Sequence, residues 1–221
     1  MRFPDAVQSL VSRAYRYVCR PGPVRTLELA YVILPSDEAH NYMSKLEIEI
    51  LKLYGPHEGL KATPHITLKL GFRVPDIQPF EKYFDQLVAD IEPFEICIKN
   101  IGFFDEMGIV FMDVVHTAEL ENLRQRILRE LSDRYGIKPY PLEGDQYHFH
   151  ATLAYLQKED FPKVRHELEN VNIEFKFMLD AIGLICHTGD EWVTYKRARL
   201  MQPAASLRAC TESVHSLESF L

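Results

Sequence analysis

The sequence predicts an α+β fold: two pseudo-symmetric lobes from an internal duplication, with largely antiparallel sheets flanking a central cleft. Three observations lead there. Helix-period segments are mixed with short strand-period runs joined by tight turns, the same order of elements occurs twice, and each copy holds a strand with His and Thr on one face. The chain has 221 residues, 47% of them hydrophobic, with 13 Phe and 11 Tyr, enough for one domain with a sizeable core.

Residues 1–25 hold Arg2, Arg13, Arg16, Arg20 and Arg25 against one acid, Asp5, and apolar residues fall at helical spacing. This start is expected to form an amphipathic helix packed on the domain; an organelle transit segment is the alternative. The apolar run 27–34 is the first strand. "SDEAHNYMSKLEIEILKLYG" (36–55) is a helix, with Ser36 as N-cap and Gly55 as C-cap. "TPHITLKL" (63–70) is the first His strand, followed by a helix at 78–90 and a strand from Phe94 to Phe104. The order then restarts with a strand at 108–115, the helix "TAELENLRQRILRELSDRYG" (117–136) and the strand "YHFHATLAYL" (147–156). A helix at 159–170, the run "FKFMLDAIGLI" (175–185) and a last strand at 191–200 complete the duplicated domain, taken as 26–201. Residues 202–221 are a tail.

The long helices stand 81 positions apart, as do Ile101-Gly102 and Ile182-Gly183, whereas His65 and His150 stand 85 apart. Loop lengths drift between duplicated halves while packed elements keep their order. By strict alternation, His148, His150, Thr152 and Ala154 share one face of their strand, and Phe149, Ala151, Leu153 and Tyr155 share the other, which looks like core. Upstream, His65, Thr67 and Lys69 share a face.

If the two His strands oppose each other across a pseudo-twofold cleft, each half offers one imidazole and one hydroxyl to the same central object. Opening a phosphodiester needs a base for the attacking oxygen and an acid for the leaving one. Two histidines supply both, since imidazole titrates near pH 6.5. Thr67 and Thr152 could donate hydrogen bonds to the non-bridging oxygens.

The motifs "HIT" (65–67) and "HAT" (150–152), each followed by Leu, resemble those of the 2H phosphoesterase superfamily over residues 27–200. That superfamily includes 2′-5′ RNA ligase-like proteins and 2′,3′-cyclic and 2′,5′-oligoadenylate phosphodiesterases. The resemblance implies a metal-independent phosphodiesterase acting on 2′,3′-cyclic phosphates or 2′,5′ linkages of small nucleotides or RNA ends. His65 and His150 would be catalytic, Thr67 and Thr152 would hold the phosphate, and no cofactor or metal would be needed. Lys69, His148 and Tyr155 are further candidate substrate contacts. Alternatives are a non-catalytic module that binds RNA ends or cyclic nucleotides, an interaction module using the N-terminal helix, 2′-5′ RNA ligation at the same site, and a metal chelated by His148 and His150.

A net charge of −7 argues against a broad nucleic-acid-coating surface and favours a small or terminal substrate. No apolar run is long enough for a membrane span. Cys97 and Cys186, in apolar runs, are expected to be buried free thiols, which favours a reducing compartment, the cytoplasm. A nucleotide or RNA end is the expected partner, a monomer the expected state, and no protein partner is assigned.

Overall fold

The computed structural model describes residues 26–144 and 147–200. The predicted N-terminal helix and the C-terminal tail, with Cys19 and Cys210, lie outside these residues. The first half runs β1 (Leu27–Ile33), α1 (Asp37–Tyr54), β2 (Ile66–Val74), α2 (Gln78–Ala89) and β3 (Glu95–Phe104). The second runs β4 (Ile109–Val114), α3 (Ala118–Tyr135), β5 (His150–Tyr155), α4 (Phe161–Leu168), β6 (Glu174–Met178), β7 (Ala181–His187) and β8 (Trp192–Arg199).

The two long helices form for matching reasons. Ser36 and Thr117 cap them by accepting from the backbone N–H of Ala39 and Leu120. Gly55 and Gly136 end them at φ of 83° and 71°, where a side chain would be strained. Between the caps, α1 buries Ala39, Met43 and Ile50, and α3 buries Leu120, Leu123, Ile127 and Leu131, one apolar stripe each.

Two four-stranded antiparallel sheets result, ordered β2-β1-β7-β8 and β5-β4-β3-β6. The His strands β2 and β5 each end a sheet, and the cleft lies where these two edges approach. The halves are interleaved, because β7 pairs with β1 while β6 pairs with β3. One core, including Tyr31, Ile98, Met112 and Leu153, spans both sheets. A smaller cluster of Ala30, Val32, Leu34, Ala181 and Ile185 covers the other face of the first sheet. Among the described residues no helix is long and apolar enough to cross a membrane.

Four expectations need correction. The run 175–185 is not one strand: the chain leaves the second sheet after Met178 and enters the first at Ala181. Its counterpart β3 stays continuous, with Asn100 at φ 63° in its middle. Second, the spacing of 81 fits the helices but not the first strands: Val32 stands opposite Thr67, and Phe111 opposite Thr152, so these equivalent positions are two residues closer. Third, strict alternation fails after each His-x-Thr motif. The register slips between Thr67 and Lys69 and again between Thr152 and Ala154. One extra residue, Leu68 or Leu153, turns the following side chain inward, so Lys69 and Ala154 are both buried and Tyr155 is exposed. Fourth, Cys97 and Cys186 are free thiols but only half-buried.

Candidate functional site

His65 immediately precedes β2 and His150 opens β5, with Thr67 and Thr152 two residues further along. All four line one cleft of about 360 Å³. In each lobe the imidazole is held in the same way. Nδ1 of His65 lies 2.8 Å from the carbonyl of Thr63, and Nδ1 of His150 lies 2.8 Å from the carbonyl of His148. A carbonyl can only accept, so Nδ1 carries the proton and Nε2 is left for chemistry. Among the described residues neither Nε2 makes a hydrogen bond. Thr63 is itself anchored, its hydroxyl sharing a 3.0 Å hydrogen bond with Nε2 of His40.

Loss of water at the cleft lowers the pKa of both histidines, because burial disfavours the imidazolium, while the carbonyls pull the other way. At His150 the neighbouring His148 and His65 add to the lowering, and Asp113 opposes it. His65 therefore sits close enough to His150 to be felt electrostatically.

The remaining candidates divide. Tyr155 lines the cleft. Lys69 does not: its side chain is fully buried, and its ammonium donates to Glu143 at 2.8 Å and stands 4.6 Å from the ring centre of Tyr140. The slip after Thr67 is the reason. His148 is not among the residues that line the cleft: its Nε2 lies 2.9 Å from Asp113, and it serves His150 through its carbonyl. For the chelating alternative, no group of three or more His, Cys, Asp or Glu side chains gathers among the described residues. On β8, Lys196 is tied to Glu81 and Asp85 of α2, and the Tyr195 hydroxyl donates to Glu81.

Several lining residues escaped the sequence reading: Thr63, Lys61, Gly71, His187 and Asp190 line the first-sheet side of the cleft. Trp192 lines it too; from the sequence, the basic strand that carries Trp192 and Tyr195 reads as an exposed edge guarded by charge, with a nucleotide-stacking surface as the alternative. The turn at 188–190 was legible, but nothing in the sequence says that it folds back over the 58–61 segment, where Asp190 pairs with Lys61 at 3.2 Å.

A sequence profile described as the 2′-5′ RNA ligase superfamily matches residues 35–191. Comparison with curated protein sequences gives no significant match. Among solved structures, Escherichia coli LigT in its apo form superposes with a TM-score of 0.51 at 17% identity, over 80% of this chain and 99% of that one. LigT complexed with 3′-AMP gives 0.52 at 18% identity, over 80% and 100%. TT0787 of Thermus thermophilus gives 0.51 at 14% identity, over 79% and 98%. At these identities the likeness is one of fold.

Proposed function

The chain belongs to the 2′-5′ RNA ligase (2H phosphoesterase) superfamily, whose fold carries phosphoesterase- or ligase-type chemistry on RNA or nucleotides, and on that premise we propose that it hydrolyses a 2′,3′-cyclic phosphate or 2′,5′-phosphodiester of a small nucleotide or RNA end. The observation that supports this most is the matched pair of imidazoles, each fixed by a carbonyl two residues upstream and each leaving Nε2 unengaged.

One imidazole, neutral at Nε2, takes a proton from water as the water oxygen attacks phosphorus. The other, protonated, gives its proton to the ribose oxygen as the P–O bond breaks. The product is a phosphate monoester, and the two histidines end with their protonation states exchanged, to be reset through solvent. The hydroxyls of Thr67 and Thr152 donate to the non-bridging oxygens, where charge is held in the transition state. Nothing in this scheme calls on a cofactor.

The test is turnover of 2′,3′-cyclic mononucleotides and 2′,5′-linked dinucleotides in EDTA by the full chain and by His65→Ala and His150→Ala. Each substitution is expected to cut kcat at least ~10²-fold, the usual size of an acid–base contribution. Equal rates in all three proteins, or no turnover of any substrate, would sink the reading.

A further inference from the structure

The two lobes repeat each other around the histidines but not beside them. In the first sheet, Val32 stands opposite both Thr67 and Gly183; in the second, Phe111 stands opposite both Thr152 and Gly102. Phe111 is thus the counterpart of Val32, and Phe104 that of Ile185. The exchange of small for large residues has a direct effect. The Phe111 ring lies on Gly102 so closely that a Cβ there would strike it. Phe104 packs alongside, ring centres 4.2 Å apart, and the two rings press on His150 at 5.1 and 5.3 Å. The wing of the cleft behind His150 is filled.

Behind His65 the matching wing is open. Ala30, Gly71 and Ile185 line it, and Trp192 walls it, half-buried, with its indole against Gly71 and edge-on to His187 at 5.1 Å. Lys61, at the mouth, is already paired with Glu58 and Asp190. An apolar floor, an indole wall and a mouth with two carboxylates to one ammonium suit an uncharged aromatic group better than a second phosphate.

We propose that the cleft takes a phosphate carrying a nucleoside on one side only, with that nucleoside over the first sheet and its base against Trp192. The substrate class is then a terminal cyclic phosphate, whose far side offers only water, rather than an internal 2′,5′ linkage flanked by two nucleosides. The reaction rests on the phosphoesterase reading; the one-sided seat does not, and it is tested by binding.

Trp192 is the one tryptophan of the chain, so its emission reports the seat directly. Titration of the full chain with nucleoside 3′-monophosphates is expected to quench it, while ribose 5-phosphate and inorganic phosphate leave it unchanged. A 2′,5′-linked dinucleotide is expected to bind within ~3-fold of the mononucleotide, and about tenfold tighter to Phe111→Val, which restores the first-lobe residue type. No quench by any nucleotide, or a dinucleotide binding the wild-type chain tenfold tighter than the mononucleotide, would overturn the proposal. The wild-type comparison decides even if Phe111→Val fails to fold. Quenching without turnover would keep the seat and sink the reaction.

Discussion

At His65 and His150, burial and the backbone carbonyls push in opposite directions, and burial is the larger influence. Both imidazoles are therefore mostly neutral at pH 7, whereas the proposed mechanism needs one of the pair protonated. The singly protonated state is most populated between the pair's two apparent pKa values, and both lie below the ordinary 6.5. A profile of kcat/KM against pH, which reports the free enzyme, is expected to be bell-shaped with its maximum on the acid side of 6.5; a plateau extending to pH 8 would contradict this. The four central side chains were legible because period-two alternation holds from His to Thr in both strands. Lys69 and Tyr155 were assigned to the wrong faces because the slip begins one residue later, and sequence carries no mark of it. The partners of Nδ1 were not legible either, since the acceptors are main-chain carbonyls and depend on local backbone geometry.

At the scale of elements, each lobe is strapped by the other. The 3-10 turn Glu58–Lys61 of the first half packs on β5, where Gly59 lies so close to the Leu153 carbonyl that a Cβ would clash. The turn Pro141–Glu143 of the second half does the same to β2: Glu143 accepts from the N–H of Leu70 at 2.7 Å and from Lys69 at 2.8 Å. Arg124 fastens this turn by donating to the carbonyls of Glu143 and Gly144. Helices and strands were legible from their periods, but these two turns were not, because short 3-10 segments have no apolar period and their docking sites lie across the molecule. Removing one partner of a buried ion pair leaves the other unpaired, at a cost of about 3–5 kcal/mol. Lys69→Met is expected to lose about that much in urea unfolding, and adding Glu143→Gln should recover part of it, since an amide oxygen still accepts from Leu70. A raised KM with unchanged stability would instead make Lys69 a substrate contact.

For the whole molecule, stability and pH are coupled through groups inside the fold. Glu47 is buried on α1 with one carboxylate oxygen unpartnered among the described residues, and burial raises its pKa from 4.5 to about 8. Between those values the folded state holds a proton that the unfolded state releases, so this group lowers stability as pH rises. The histidines act oppositely: with pKa values lowered in the fold, they cost stability as pH falls below 6.5. Glu47→Gln is expected to raise Tm little at pH 5 and by on the order of 10 °C at pH 8.5, since a rise from 4.5 to about 8 is worth about 5 kcal/mol, at about 2–4 °C per kcal/mol. An equal gain at both pH values would contradict the assignment. The interleaving of the sheets, finally, bears on how the molecule is made. β1 leaves the ribosome well before its partner β7. With roughly 150 residues between them, synthesis at about 5–20 residues per second leaves one edge of β1 unpaired for roughly 8–30 s. An open apolar edge is a template for wrong pairing, so the nascent first half is exposed to mispairing until β7 arrives.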